Sequence, residues 1–437
     1  MLFRYRLREI RDFNGNKVQL LWNEDEGYVT NAVDTAGGQY VFNYDTAQKL
    51  LTNVTFGSWR VNFAYDTTNR LVSKSLTSTS GLHTAVNTTW QFQYNTNGLL
   101  HRIIDPRGIT NLFVQYDQYG RQTNQIDALN RATTTRYGVP GKRQITRIDP
   151  GTNSWIETYD RKGHTLAQQD PLANITSYSY DTNGNRISIT EPLGWQTTFG
   201  YDTRANVIAR TNALGEITRW NFHPFFNKAT NEVNATGWTN SYVLDNNTGN
   251  LLSHFDALGT LVSYTYRTNG LVDTSTDANG RITRLDYNTN GFLISRIDTA
   301  TNTWTYTPNE VGWKMSEANP FGEVSTYSYN LNGNVLLAID PLFRHFTKNY
   351  DANGNVLTES DGKSQLTTYA YDAANQRTNM VDRTGTNKWT YFYTSRGKLA
   401  VATDPQTNTV TQTYDAANRP VSITDPLGGS KIGRAHV

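Results

Sequence analysis

The sequence predicts an all-β chain. Its expected fold is a row of tandem 21–22-residue β-hairpins forming a long antiparallel sheet that coils into an open spiral or partial hollow shell. Three observations predict it. The pair Tyr-Asp recurs at Tyr65-Asp66, Tyr116-Asp117, Tyr159-Asp160, Tyr180-Asp181, Tyr201-Asp202, Tyr350-Asp351, Tyr371-Asp372 and Tyr414-Asp415. Softer copies such as Tyr94-Asn95, Phe222-His223 and Tyr287-Asn288 fill the gaps, so every step from Tyr94 to Tyr414 is 21 or 22 residues. Between these marks, polar and apolar residues alternate, and Gly, Asn and Pro cluster at two places in each period.

One period shows why each element forms. In Ile175–Tyr180, Thr176, Tyr178 and Tyr180 alternate with Ser177 and Ser179, the period of a strand with two unlike faces. Asp181-Thr182-Asn183-Gly184 follows as a turn, where Asp bonds its own backbone and Asn-Gly supplies positive φ. Arg186–Thr190 alternates again as the return strand, and Glu191-Pro192-Leu193-Gly194 closes the unit. Tyrosines at equivalent positions are expected to stack ring on ring between neighbouring hairpins. Helix is excluded by the abundance of Asn, Thr, Gly and Tyr and by the absence of three-and-four spacing.

Along the chain, residues 1–43 read as degenerate repeats with a truncated start, and 44–428 as a continuous array. A 29-residue step between Tyr65 and Tyr94 places an insertion near 73–86. Residues 429–437 read as a non-native-looking tail; Ile432–Val437 resembles what a sequencing adapter encodes in one frame. The chain is accordingly expected to be a fragment. No linker or second domain is expected.

Composition narrows the function. Net charge is +2 from 40 basic and 38 acidic residues, too balanced for a general nucleic-acid field. Hydrophobic residues are 37% and aromatics 12%, a balance that fits a thin β wall wet on at least one face. There is no cysteine, so disulfides and thiolate metal sites are excluded. No segment is apolar enough to span a bilayer as a helix, and no signal peptide is evident at Met1–Arg6.

Tyr-Asp followed by an Asn-Gly-Asn or Asn-Arg turn, a short apolar strand and Asp-Pro-Leu-Gly resembles the RHS repeat, also called the YD repeat, over about residues 10–428. The family includes bacterial RHS polymorphic toxins, insecticidal toxin complex cocoon subunits, wall-associated proteins and teneurins. The resemblance implies a non-enzymatic β-shell that encloses or presents a C-terminal effector (toxin) domain as intramolecular cargo. It also implies a parent protein that is secreted or at the cell surface, of bacterial origin. The alternative is an extracellular adhesion or carbohydrate-binding module whose partner is a surface glycan or protein.

Candidate chemistry is sparse. Asp404-Pro405 and Asp425-Pro426 lie twenty-one residues apart and resemble the family's aspartyl self-cleavage motif, in which paired carboxylates share a proton. Asp105-Pro106, Asp149-Pro150, Asp170-Pro171 and Asp340-Pro341 occupy the same repeat position, so a turn role is the expectation and no catalytic residue is assigned. His83, His101, His164, His223, His254, His345 and His436 lack ligand spacing, and no metal or cofactor is expected. The residues expected to matter are structural anchors: the eight Tyr-Asp pairs with Gly184 and Gly354. Trp195, Trp238 and Trp313 are weighed as sugar-stacking or protein-gripping residues, with strand stapling the favoured role.

Overall fold

The computed structural model describes residues 6–78, 87–138 and 143–432. Among the described residues all regular structure is strand, forty in number, most of them five or six residues long. The chain divides into two compact units. The first combines Met1–Ala85 with Gly200–Arg344, and the second Val86–Phe199 with His345–Val437. Within each, successive strands pair antiparallel with their chain neighbours, as the alternating pattern requires.

The hairpin Ile175–Tyr180 with Arg186–Thr190 represents the rest. Ser177 pairs with Thr190, Tyr178 with Ile189 and Ser179 with Ser188; the register then slips so that Tyr180 faces Arg186. The same bulge recurs before Tyr65, Tyr116, Tyr159, Tyr350, Tyr371 and Tyr414. Turns at the Tyr-Asp end thus follow a bulge, which adds one residue and twist there. The alternate turns, after strands such as Thr165–Gln169, mostly follow regular pairing. The two edges of the sheet, the YD edge and the DP edge, are therefore inequivalent.

Both edges nonetheless use one turn. At the YD edge Asp181 N–H donates to Asn185 O at 2.9 Å, and Gly184 N–H donates to Asp181 O at 3.2 Å. At the DP edge Glu191 N–H donates to Trp195 O, and Gly194 N–H to Glu191 O, both at 2.8 Å. This is a three-residue hairpin loop closed by one left-handed residue. Gly184 takes the left-handed position with φ 89°, while Asn183 stays at negative φ, so glycine alone supplies what the Asn-Gly pair was expected to supply. Where glycine is missing the position stays left-handed, even with Thr301 at 67° or Thr407 at 68°.

The apolar core is small. Ala32, Trp59, Val114 and Leu331 are the buried hydrophobic side chains among the described residues. A sheet with so little apolar burial is held by its ladders, its turns and the contacts between its edges. Of the expected insertion, Ser73–Ser78 lies in the strand Leu71–Ser78, and 79–86 fall outside the described residues. Ser430–Ile432 pairs with Pro420–Thr424 as a further strand, and 433–437 fall outside the described residues.

Candidate functional site

The residues singled out by the repeat converge on the turns. In most, Asp Oδ1 accepts the N–H groups two and four residues ahead, and in many Oδ2 also accepts the side chain at the fourth. Asp181 takes Asn183 N at 2.9 Å, Asn185 N at 2.8 Å and Asn185 Nδ2 at 2.9 Å. Asp202 and Asp351 repeat this with Asn206 and Asn355. Arg70, Arg121 and Arg419 close on Asp66, Asp117 and Asp415 through Nε at 2.7–2.8 Å, and His164 Nδ1 lies 2.8 Å from Asp160. Asp372 accepts Ala374 N and Gln376 N at 2.9 Å. The Asn or Arg four residues after Asp is thus a carboxylate donor, a role its recurrence in the sequence could have disclosed.

Such donors hold the Asp66, Asp181 and Asp202 carboxylates ionised. The Asn185 amide holds Asp181, and the Asn206 amide Asp202, below the usual carboxylate range. For Asp66 the Arg70 N–H leads. Asp404 behaves in the same way: Gln406 N, Asn408 N and Asn408 Nδ2 donate at 2.8–2.9 Å, and its pKa is lowered, first by the Asn408 side chain. Asp425 accepts Leu427 N at 3.0 Å and Gly429 N at 2.8 Å. A proton-sharing dyad requires one raised carboxyl pKa, whereas both carboxylates here cap their own turns.

The tyrosines act mainly through their hydroxyls. Tyr65, Tyr180 and Tyr414 donate at 2.9 Å to the carbonyls of Leu51, Thr165 and Leu399, and Tyr116 donates to Leu100. Each acceptor is the first residue of the preceding strand. The phenol thereby ties one YD turn to the next. Tyr159 donates instead to the Glu157 carboxylate, and burial together with that carboxylate pushes its pKa up to about 12. Ring-on-ring stacking joins Tyr28 to Tyr44 at 4.1 Å, Tyr40 to Phe56 at 4.6 Å, Tyr180 to His164 at 4.8 Å and Tyr242 to His254 at 4.7 Å, and at other rings a cation lies over the face. Arg186 lies 5.5 Å from Tyr178 and 6.0 Å from Phe199, and Arg377 lies 5.8 Å from Tyr369 and 4.7 Å from Tyr391. Such contacts contribute about 0.5–1 kcal/mol each at exposed sites.

Within each unit, a DP edge meets a YD edge from far along the chain. In the second unit Asp105 is fully buried. It accepts Arg107 Nε at 3.0 Å, Arg107 Nη2 at 2.6 Å and Asn353 Nδ2 at 2.6 Å. Burial alone would raise its pKa, but the Arg107 and Asn353 donors outweigh it and lower the pKa. Arg107 also donates to Ala373 O at 2.9 Å, Arg131 to Gln376 at 3.0 Å, and Arg396 lies 3.7 Å from Asp149. In the first unit Asn16 donates to Asn269 O, and Asn250 to Asn14, both at 2.8 Å. Trp59 meets Trp313 edge-on at 5.0 Å, and Ser58 bonds Glu310. Two open clefts of about 450 and 470 Å³ lie along that seam, one lined by Phe56, Gly57, Asn290 and Glu310, the other by Asp12, Asn16, Asp34 and Asn269. Among the described residues no group of three or more His, Asp or Glu is placed to hold a metal ion. His83 and His436 lie outside the described residues.

The arrangement matches known proteins. Residues 159–194, 180–217, 350–386 and 393–430 match the family model described as RHS Repeat. No curated protein sequence matches the chain. The crystal structure of TcdB2-TccC3 aligns over 94% of this chain and 30% of its own, at TM-score 0.61 and 14% identity. TcdB2-TccC3-TEV aligns over 96% of this chain and 33% of its own, at 0.61 and 13%. The Photorhabdus luminescens Tc holotoxin pore aligns over 94% and 32%, at 0.60 and 13%. The chain therefore spans about a third of the solved structures it resembles, and at such identities the likeness is one of fold. Sequence repeat, turn chemistry and fold agree: over residues 159–217, 350–386 and 393–430 the chain carries RHS repeats, and its fold is like that of TcdB2-TccC3.

Proposed function

We propose that this chain is a non-enzymatic structural scaffold, a stretch of RHS-repeat wall that encloses or presents an effector domain of its parent protein. The single observation that carries the reading is the alignment of nearly the whole chain with TcdB2-TccC3, together with the RHS Repeat matches. One of the resembled structures is a holotoxin pore, which supports a toxin as the effector and a secreted or cell-surface bacterial parent. Mechanistically, ladders and capped turns stiffen the wall along the strands, and seams such as Asp105–Arg107–Asn353 hold one edge against another.

The test is the gene around this segment and the protein it encodes. More repeats followed by a short unrelated domain, protected from protease until the wall is denatured, is the expected result. An upstream signal peptide with repeats ending at a wall or membrane anchor would overturn it and leave an adhesion scaffold. The half-exposed Trp195 and Trp238 favour that second reading, because neither ring is stapled as the tyrosines are. Binding to a glycan array that is lost in Trp195→Ala would identify it.

A further inference from the structure

Inside each unit the structure shows what covers a DP edge: a row of YD turns. Asp105, Asp127 and Asp149 turns are met by the turns of Asp351, Asp372 and Thr394. Asp12 and Phe56–Trp59 turns are met by those of His223, Asp245, Arg267 and Asn309. Exposure follows this only in part: Asp105 and Pro106 are buried at a covered DP turn and residues 351–355 are sheltered at a covered YD turn, whereas Phe13 and Phe225 stay 69% and 80% exposed at covered turns. The YD turns of the earlier stretch, such as 96–98, 118–120 and 161–163, are exposed.

Among the described residues the DP edge of Gly200–Arg344 has no such cover, and several of its turn tips are apolar. Leu214, Leu258, Phe321, Leu342 and Phe343 are 71–89% exposed. Each follows the Asp or Asn cap of its turn by two or three residues and projects from the same edge: Leu214 after Asn212, Leu258 after Asp256, Phe321 after Asn319, Leu342 and Phe343 after Asp340. A repeated apolar tip at solvent is an unfilled contact surface rather than a turn requirement, since Asn279 and Ala300 serve the same position. Covered seams in the same unit already join aromatic tips across edges, Phe13 on Phe226 at 5.0 Å and Trp59 on Trp313 at 5.0 Å.

We propose that this apolar DP edge is a docking surface for a further row of YD turns, and that in the isolated protein a second copy of the chain supplies it. The partner edge is the exposed YD row carrying Asn97, Tyr119 and Lys162, with Tyr119 72% exposed. The two surfaces differ, so the contact is heterologous and leaves one of each edge free for a third copy. Association joins turn tips, not strand flanks, and adds no ladder hydrogen bonds.

Sedimentation velocity of the 437-residue chain over a wide concentration range tests this. The expected result is mass-dependent growth from the 49.3 kDa monomer through dimers to longer oligomers. Changing Leu214, Leu258, Phe321 and Leu342 to Asp disables one edge. Asn97→Asp, Tyr119→Asp and Lys162→Glu disable the other. Each set alone returns the chain to a monomer with unchanged far-UV circular dichroism, and mixing the two sets gives a dimer that grows no further. A wild-type chain that stays monomeric overturns the proposal. So does self-association that survives the YD-edge set, which would mean apolar edges meeting each other. Retention on anionic lipid vesicles by a chain that stays monomeric in solution would assign the apolar tips to a membrane surface instead.

Discussion

At the residue scale the fold rests on a carboxylate that satisfies its own turn. Because the donors around Asp66, Asp181, Asp202 and Asp404 lower their pKa values, the unfolded chain binds more protons than the folded one as pH falls. The sign is therefore fixed: this stability is complete above the unfolded Asp value, about 3.9, and is lost as pH drops through the lowered folded values. Far-UV circular dichroism should show a flat signal through neutral pH and cooperative loss only in strong acid. The left-handed position gives a second outcome. Thr407 sits at φ 68°, where a β-branched side chain is strained. Thr407→Gly should raise stability by about 1 kcal/mol in a urea melt, and Gly184→Val should lower it by about 1–2 kcal/mol. The aspartates and glycines were legible as turn residues in the sequence. The Asn or Arg donor four positions on recurs there too, and that recurrence was the signal for its role.

At the element scale the hairpin was readable and its fastening was not. Alternation in Ile175–Tyr180 and Arg186–Thr190 placed both strands correctly. The repeated tyrosine suggested rings stacked on tyrosine; Tyr180 stacks instead on the His164 ring at 4.8 Å and also reaches Thr165 O with its hydroxyl, while Arg186 occupies the ring face of its neighbour Tyr178. A ring and a hydroxyl look alike in a pattern of letters, and only the bulge that turns Tyr180 toward the earlier strand separates them. Tyr180→Phe should therefore cost about 1 kcal/mol, the value of one hydrogen bond to a carbonyl. Amide exchange should quicken at the Asp160 and Asp181 turns together. If rings alone mattered, the phenylalanine variant would be silent.

At the scale of the whole molecule, the contacts between edges carried no signal in the sequence. Asp105 lies 248 residues from Asn353, and nothing local to either marks the pairing. Other turn carboxylates keep some contact with solvent, but Asp105 is fully buried and depends on Arg107 and Asn353. Arg107→Leu would leave that charge without its main partner and should cost about 3 kcal/mol. The loss should appear first in the second unit by hydrogen exchange, while the first unit melts as before. Close approach makes a matching demand in the first unit. At Gly270, with φ 80°, an added Cβ would lie 2.5 Å from the Asn14 side chain, so Gly270→Ala should weaken that seam.

The seams also make the number of repeats a structural quantity. Every hairpin closes itself, so excising one 21-residue repeat from between Asp105 and Asn353 would leave each remaining hairpin able to form. What changes is which turn arrives opposite which. Arg107 would then face the turn of Asp372, where Ala374 stands in the place of Asn353 and offers no amide to the buried carboxylate. An array of near-identical units would tolerate such a loss in silence. This one keeps count, and divergence among its repeats is how the tally is stored.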